Sequence, residues 1–279
     1  MLRRAKDSDV ALLLTYGLNP TLVDCSFIYE SEGSVVGAVS LQKLPFETEH
    51  LFVKSVKIVL PPVWNHSYSG LVDLLRACVS HLKKNGYRFG SCRVSESNIL
   101  QCLALQDVGF FNVECLLTLE RKLDSHKVGD SNNVELANFE LAASCGSAAY
   151  RTFSCDRFHF DPRIPDKFAD ALKAAWVRNA CLGRADAVFV VRDDDEILAF
   201  NVCLKNSEVA TIDLIGVVPE ARGRGLGRLL LNAAIGHYSQ IAKLITVGTQ
   251  SRNGVSLGLY QSLGFKISHS AWTFHIHLP

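Results

Sequence analysis

A loop rich in glycine and arginine lies in the second half of the chain, between a β-rich run and an apolar pattern of helical spacing. It reads VPEARGRGLGR over residues 218–228. Glycines at a strand-to-helix turn let backbone N–H groups approach a ligand closely, and the helix N-terminus adds partial positive charge. The side chains of Arg222, Arg224 and Arg228 strengthen the case for an anion. The loop therefore predicts a phosphate or pyrophosphate site, with a solvated surface turn as the alternative.

Two common phosphate-binding patterns do not describe this loop. The dinucleotide pattern G-x-G-x-x-G fails because Arg228 stands where the third glycine belongs. The pattern G-x-x-x-x-G-K-[ST] of nucleoside triphosphate sites does not occur in the sequence. The phosphorylated ligand is therefore expected to belong to another class.

The loop and the residues after it resemble the GCN5-related N-acetyltransferase (GNAT) superfamily. The pyrophosphate loop of that superfamily is written R/Q-x-x-G-x-G/A, which here is Arg222–Gly227. In the superfamily a strand and then an Asn that contacts the arm of coenzyme A follow, and Asn253 stands at that point. A Tyr seven residues later commonly protonates the departing thiolate, and this residue is Tyr260. The helix then ends at Gly-Phe, as it does here at 264–265.

The resemblance covers about residues 139–277 and implies an α/β (α+β) fold. It also implies acetyl-CoA or another acyl-CoA as co-substrate, and no metal. The residues that it places at the cofactor are Ile215, Val217, Val218, Arg222, Gly223, Arg224, Gly225, Leu226, Gly227, Arg228 and Asn253.

The chemistry of acyl transfer explains why such residues are needed. An amine that attacks a thioester must be neutral and held close to it, so positioning supplies much of the rate. The resemblance implies that backbone N–H groups near Val217 and Val218 polarise the thioester carbonyl, and that Tyr260 acts as a general acid. Tyr260 and Asn253 are the predicted catalytic residues. The alternatives are a core tyrosine and an ordinary helix N-cap.

Two mixed α/β halves are predicted to position these residues. The predicted domains are 1–124 and 134–279, joined by a polar linker at 125–133 that lacks an apolar period. Each domain is expected to contain a mixed central sheet flanked by helices. A short strand at 139–143 is predicted to open the second domain, and a strand at 209–218 leads into the glycine loop.

The halves share a pattern of strand, Asn, short helix, Gly-Phe and strand. Asn98 precedes Gly109 by 11 residues, and Asn253 precedes Gly264 by 11 residues. This shared spacing favours duplication of one domain. In the first copy Leu105 stands where the tyrosine should be, and no R-x-x-G-x-G loop occurs. We therefore expect tandem GNAT-like domains. The first is degenerate and serves as structure or as one wall of the acceptor pocket.

The two-part layout also resembles the sugar-nucleotide N-acyltransferases, in particular the dTDP-4-amino-4,6-dideoxygalactose (TDP-fucosamine) acetyltransferase family. Two patches carry this resemblance: residues 44–52, and residues 157–163 with a Trp and an Asn after them. In the second patch, arginines can bind a diphosphate and rings can contact a sugar or base. The residues predicted to bind the acceptor are Arg157, His159, Arg163, Trp176 and Asn179.

The base that takes the proton from the acceptor amine is left open by the sequence. His159 is one candidate, with a structural role as its alternative. Asp213 and Glu220 flank the predicted active strand and are candidates that would act through water. For Trp176 the alternative role is packing in the core.

The leading hypothesis is an N-acyltransferase that moves an acetyl or short acyl group from coenzyme A to a nucleotide-linked amino sugar, with a dTDP-amino-dideoxyhexose favoured. A second hypothesis is the same fold acting on another amine, such as a protein N-terminus, a polyamine or an antibiotic. A third is a non-catalytic coenzyme A-binding protein. The intact Arg222–Gly227, Asn253 and Tyr260 argue against the third hypothesis.

Composition excludes several other classes of protein. The 279 residues are 48% hydrophobic and 20% charged, which excludes a mostly disordered chain. A net charge of +1 argues against a protein that coats nucleic acid or an anionic membrane. The nine cysteines are widely spaced without C-x-x-C, so zinc and disulfide frameworks have little support. We expect a soluble cytoplasmic protein whose partners are small molecules, and a homodimer is compatible with the sequence.

Overall fold

Two units of structure emerge from the contacts within the chain. The first unit combines residues 1–115 with 270–279, and the second comprises 116–269. The computed structural model of the protein describes residues 1–31, 33–62, 64, 67–124 and 133–279.

The regular elements alternate along the chain as expected for an α/β fold. The helices are α1 (Val10–Thr15), α2 (Pro45–Leu51), α3 (Tyr68–Lys84), α4 (Ile99–Asp107), α5 (Ala142–Tyr150), α6 (Asp166–Asn179), α7 (Leu226–Tyr238) and α8 (Gly254–Ser262). The strands are β1 (Leu2–Arg4), β2 (Cys25–Ser31), β3 (Ser34–Lys43), β4 (Ser55–Val59), β5 (Phe89–Ser95), β6 (Phe111–Lys122), β7 (Glu135–Leu136), β8 (Ala187–Asp193), β9 (Glu196–Asn206), β10 (Val209–Val217), β11 (Leu244–Gln250) and β12 (Lys266–His277).

The boundaries of the units differ from the predicted domains 1–124 and 134–279. Strand β6 begins in the first unit and ends in the second, and β12 does the reverse. The reason is backbone pairing: Leu116–Lys122 of β6 is antiparallel to β11, whereas Ala271–His277 of β12 is antiparallel to β5. The predicted linker at 125–133 lies, but for its last residue, outside the described residues.

The first unit contains a sheet in the order β1-β2-β3-β4-β5-β12, with the start of β6 beside β12. Strands β4 and β5 are parallel, and β1 to β4 pair antiparallel in succession. Helix α3 begins where Ser67 accepts the Gly70 N–H at 3.2 Å, and it ends before Gly86, whose φ is +74°. Its apolar face joins α4 and the sheet in one buried cluster.

The second unit contains a sheet in the order β6-β11-β10-β9-β8-β7. Alternate residues of a strand face opposite sides of its sheet. Ala187, Phe189 and Val191 pack with apolar residues of α7 and α8, whereas Val188 and Val190 pack with residues of α5 and α6. Helices therefore cover both sides of the sheet, which are termed the α7–α8 face and the α5–α6 face.

The prediction of a short strand at 139–143 is wrong. Asn138 Oδ1 accepts the N–H groups of Glu140 and Leu141 at 3.0 and 3.3 Å, which starts a 3-10 turn. Helix α5 follows this turn directly. The residues of α5 are mostly small, so the helix has little of the apolar period by which a sequence reveals a helix.

The repeated pattern of the two halves is confirmed at the level of elements. Strand β5 leads through Asn98 into α4, and β11 leads through Asn253 into α8; both helices have nine residues. The glycines that follow them, Gly109 and Gly264, have φ of +94° and +82°. Left-handed glycines of this kind end helices without steric cost.

Within the described residues, no helix combines the length and apolar character that crossing a membrane requires. In the same part of the chain, no group of three or more His, Cys, Asp or Glu side chains is arranged to hold a metal ion.

Candidate active site

Strands β10 and β11 separate towards their carboxyl ends. Their parallel pairing runs as far as Ile212 and Val247. Beyond these residues β10 stays paired with β9 and β11 stays paired with β6, and the β10 ladder is irregular at Asp213. A gap therefore opens between two neighbouring strands directly before the glycine loop. It is termed the β10–β11 gap.

Backbone N–H groups at the end of β10 divide between the two edges of the strand. The Val218 N–H donates to the Leu198 carbonyl of β9 at 2.9 Å. Successive N–H groups of an extended strand point to opposite edges, so those of Ile215 and Val217 point towards the gap. Of the two donors predicted to polarise a thioester, Val217 lies on the gap side, whereas the Val218 N–H is used within the sheet.

The glycine loop connects β10 to α7 through a short 3-10 turn at Pro219–Ala221. Gly223 and Gly225 both have φ of +78°, a conformation that glycine adopts without steric cost. Among the residues that the structure describes, no side chain caps the N-terminus of α7. The first N–H groups of a helix have no partner within it, so those of Leu226 and Gly227 point out of the helix end, where an anion can accept them.

The loop arginines Arg222 and Arg224 bind to backbone carbonyls of the protein itself. Arg222 donates to the Thr152 carbonyl at 2.8 Å and to the Val217 carbonyl at 3.3 Å. Arg224 donates to the Glu220 carbonyl at 2.8 Å. Arg222 thereby ties the loop to the segment after α5. The predicted anion site consequently depends on backbone N–H groups more than on these guanidinium groups.

Helix α8 packs beside the start of α7. Arg228 of α7 donates to Ser262 Oγ of α8 at 2.7 Å. A Cβ on Gly227 would lie 3.2 Å from Leu259 Cδ2, so this position has little space for a side chain. The loop and α8 therefore lie on the same α7–α8 face of the sheet.

The two predicted catalytic residues both lie on α8 or at its start. Asn253 is the N-cap, and its Oδ1 accepts the Ser256 N–H at 3.2 Å. Tyr260 is only 3% exposed, and its ring lies 5.8 Å from that of Phe265. Burial raises the pKa of Tyr260, against the effect of its hydrogen bond with the Ser256 side chain. Both residues have structural roles, and their catalytic roles stay predictions.

The predicted acceptor patch lies in the segment between α5 and α6, residues 152–164. The Arg157 guanidinium lies 4.3 Å from the centroid of the Phe158 ring, and Phe158 is buried. Arg163 is exposed, and its backbone N–H donates to Asp161 Oδ1 at 3.0 Å. The Phe158 ring therefore packs inside the unit, whereas Arg163 lies at its surface.

His159 is enclosed by two carboxylates. Its Nδ1 lies 2.8 Å from Asp156 Oδ2 and its Nε2 lies 3.0 Å from Asp170 Oδ1, while its side chain is 5% exposed. The buried Lys173 ammonium lies 3.6 Å from Asp156. Burial lowers the pKa of His159, but the hydrogen bonds and charges of the two carboxylates outweigh this effect, so its pKa is raised. An imidazolium with both nitrogens occupied fits neither the predicted acceptor contact nor proton abstraction.

Replacement of His159 by Gln is expected to destabilise the protein by about 3 kcal/mol, because it leaves two carboxylates near one buried ammonium. A raised folded pKa stabilises the fold fully below the ordinary value of about 6.5, and this stabilisation is lost as pH rises through the folded value. The difference in unfolding free energy between wild type and His159→Gln should therefore shrink as the pH rises above about 6.5.

Urea unfolding at several pH values measures this difference. His237→Gln is the matched control, since His237 is exposed and has no carboxylate partner in the described residues. A difference that stays constant with pH would show that His159 is not held as an imidazolium.

Trp176 holds a carboxylate of β10. Its Nε1 donates to Asp213 Oδ2 at 3.0 Å, and Arg184 donates to the same oxygen at 2.5 Å. The cationic groups of Lys173 and Arg184 lie 5.3 and 5.4 Å from the centroid of the Trp176 ring. Asn179, the other predicted acceptor residue of this region, is the last residue of α6. Trp176 therefore positions Asp213 on the α5–α6 face.

The two carboxylates left open as bases differ in their surroundings. The Asp213 side chain is 18% exposed and lies at the point where the gap begins. The Glu220 side chain is 65% exposed and binds Arg151 at 3.0 Å, and Arg151 also binds Glu196. Position and burial thus favour Asp213.

Lys173 is a buried charged residue of this region that was not among the predicted site residues. This residue is four positions from both Ala169 and Val177, which are buried residues of α6. It therefore falls on the apolar stripe of the helix, and a lysine on such a stripe needs an internal partner. Its place on this apolar stripe was the signal in the sequence that could have identified Lys173 as a buried, partnered lysine. The Lys173 ammonium also lies 5.3 Å from the centroid of the Phe153 ring.

Comparison with known proteins supports the resemblance. Residues 149–265 match the acetyltransferase (GNAT) family. The chain is 28% identical over 126 residues to the spore coat polysaccharide biosynthesis protein SpsD of Bacillus subtilis, covering 45% of this chain and 44% of SpsD. It is 26% identical over 141 residues to mycothiol acetyltransferase of Corynebacterium glutamicum, covering 48% and 46%. The chain thus spans about half the length of the curated relatives that it matches.

A solved tandem GNAT protein from the clavulanic acid biosynthesis pathway shares the fold. Its TM-score is 0.56 at 14% identity, over 91% of this chain and 82% of that chain. The prediction of an α/β fold with two GNAT-like domains is confirmed. The part of the chain that matches the acetyltransferase (GNAT) family, residues 149–265, contains the β10–β11 gap, the glycine loop and α8.

Proposed function

We propose that the second unit transfers an acyl group from a coenzyme A thioester to an amine. The β10–β11 gap beside the glycine loop carries this proposal. A gap between strands offers backbone partners to the extended arm of coenzyme A and places its thioester near the Val217 N–H. The pyrophosphate then meets the N–H groups at the start of α7.

The two faces of the second unit would separate the two reactants. The glycine loop and Tyr260 lie on the α7–α8 face, where coenzyme A would leave as a thiolate. The acceptor amine would enter from the α5–α6 face, where Asp213 lies. The two hydrogen bonds that Asp213 accepts within the described residues both use Oδ2, and we assign Oδ1 the proton, which it would take through water. We assign Asp213 this role in preference to Glu220 and His159.

The acceptor that we propose is a nucleotide-linked amino sugar, with a dTDP-amino-dideoxyhexose favoured. Support comes from the resemblance of residues 157–163 to the sugar-nucleotide N-acyltransferases and from SpsD, which is named as a protein of polysaccharide biosynthesis. Arg157 and Arg163 are the cations of that patch that could bind a diphosphate.

Release of free thiol from acetyl-CoA tests the proposal. We expect stimulation by dTDP- or UDP-linked amino sugars and none by a polyamine or by a peptide with a free N-terminus. Stimulation by the peptide or the polyamine alone would overturn the proposed amino-sugar acceptor in favour of that other amine. Tight binding of coenzyme A without any stimulated release would favour the non-catalytic hypothesis.

Replacement of Gly225 by Ala is expected to weaken coenzyme A binding about tenfold, because a left-handed φ costs an L-residue about 1–2 kcal/mol and the loop must shift to relieve it. Titration calorimetry with coenzyme A measures the Kd.

Gly264→Ala is the matched control for this substitution. Gly264 has φ of +82°, and a Cβ at either glycine would meet nothing within 4 Å. Both variants should lower the Tm by similar amounts, whereas only Gly225→Ala should change the Kd. Equal coenzyme A affinity in both variants would show that the glycine loop does not bind coenzyme A.

A further inference from the structure

The segment at 152–164 contacts both walls of the β10–β11 gap. Near its start, a Cβ on Gly216 of β10 would lie 2.5 Å from Thr152 Cγ2, and Arg222 donates to the Thr152 carbonyl at 2.8 Å. Further along, the Arg252 guanidinium lies 3.4 Å from the centroid of the Phe160 ring. Gly216 lies near the carboxyl end of β10, and Arg252 lies just beyond the carboxyl end of β11. This segment, termed the strap, therefore crosses the gap at that end.

Hydrogen bonds within the strap give it a fixed shape. The carboxylate of Asp156 accepts the Phe158 N–H at 2.9 Å, and the Asp156 carbonyl accepts the Phe160 N–H at 3.0 Å. Asp156 also binds His159 at 2.8 Å, and His159 in turn binds Asp170 of α6. These bonds tie the middle of the strap to α6, so Phe160 is presented to Arg252 by a preformed turn.

The contact between Phe160 and Arg252 differs from the bonds inside the strap. It joins the α5–α6 face to the turn that leads into Asn253 and α8. It also involves a ring that is 38% exposed, so it can break without disturbing the core. A guanidinium over an aromatic ring at this distance is a favourable cation–π arrangement.

We propose that Phe160 and Arg252 are positioning residues that latch the strap over the gap and thereby fix the acceptor amine beside the thioester. The inference rests on the proposed acyl transfer, and it deepens that proposal by assigning the closure of the acceptor side. Coenzyme A itself would bind from the opposite face and would not depend on the latch. Loss of the latch would therefore raise the acceptor KM and leave the coenzyme A Kd unchanged.

Phe160→Leu is the variant that tests the latch, because it keeps apolar volume and removes the aromatic face. We expect its acceptor KM to rise about tenfold, in line with the loss of one well-formed cation–π contact, while kcat at saturating acceptor changes less than about twofold. Arg252→Gln should have the same effect. The acceptor probe is whichever dTDP- or UDP-amino sugar stimulates thiol release by the wild-type protein.

Phe168→Leu is the matched control. The Lys167 ammonium lies 5.1 Å from the centroid of the Phe168 ring, so this variant also removes a cation–π partner, but on α6 and outside the strap. Its acceptor KM should equal that of the wild type. Backbone hydrogen exchange in the coenzyme A complex provides a readout that needs no acceptor. Exchange across residues 152–164 should rise in Phe160→Leu and in Arg252→Gln, but not in Phe168→Leu.

The outcomes separate the two proposals. Normal transfer by Phe160→Leu with an unchanged acceptor KM, or unchanged exchange across the strap, overturns the latch and leaves the acyltransferase proposal standing. Failure of the wild-type protein to transfer an acyl group to any amine in the panel overturns the proposed function and the acceptor role of the strap with it.

Discussion

Replacement of Tyr260 by Phe is expected to lower kcat by about 10²–10⁴-fold, the usual contribution of a positioned general acid, and to leave the Kd for coenzyme A nearly unchanged. The phenol is buried in the α7–α8 face, and burial raises its pKa, so it keeps its proton throughout the neutral range. A group that must donate a proton to a departing thiolate needs to be in that state. Steady-state kinetics and titration calorimetry measure the two quantities.

Tyr238→Phe is the matched control for this experiment. Tyr238 is also a fully buried tyrosine of the second unit, and burial together with its hydrogen bond to Asp186 raises its pKa. It lies at the far end of α7 from the glycine loop, and its hydroxyl donates to Asp186 at 2.7 Å. Tyr238→Phe should therefore lower stability and keep the wild-type kcat. Equal kcat values for Tyr260→Phe and wild type would exclude Tyr260 as the acid.

A fragment of residues 134–279, cut at the predicted domain boundary, is expected to lose cooperative thermal unfolding. It lacks Leu116–Lys122, which pairs with β11 at seven residue pairs. It also retains Ala271–His277, whose seven partners on β5 are missing. An unpaired inner strand exposes its backbone groups and apolar side chains, which favours aggregation over folding. Circular dichroism during heating detects the loss.

A fragment of residues 116–269 is the control, because it follows the boundaries of the second unit and keeps β6 beside β11. We expect it to unfold cooperatively and to bind coenzyme A, since it contains the gap, the loop and α8. Cooperative unfolding of 134–279 together with wild-type affinity for coenzyme A would show that the pairing of β6 with β11 is dispensable.

Local signals explain why so much of the candidate site could be predicted. The glycine loop, the N-cap at Asn253 and the glycine after α8 depend on backbone conformations that particular residue types favour within a few positions. The same is true of the amphipathic α6 and of strands β10 and β11. The prediction of a short strand at 139–143 is wrong because local signals are weak in that stretch. There the helix signal is weak, and the turn that starts α5 depends on one asparagine side chain.

On the acceptor side, the partners of polar side chains could not be predicted from the sequence. Arg222 looks like an anion ligand in the sequence, yet its guanidinium binds the Thr152 carbonyl, 70 residues away in the chain. His159 looks like a base, yet Asp156 and Asp170 occupy both of its nitrogens. Whether a polar side chain faces a ligand or an internal partner depends on what burial brings beside it, and spacing along the chain does not encode that.

The sequence by itself determined the family resemblance, the glycine loop and the duplicated pattern of the two halves, because these are properties of short contiguous stretches. Tertiary structure alone decided that β6 and β12 each complete the sheet of the other half, that Asp213 is held at the mouth of the gap, and that Phe160 meets Arg252. Strand partners and buried polar pairs are fixed by register and packing between distant segments, and only the folded chain brings those segments together.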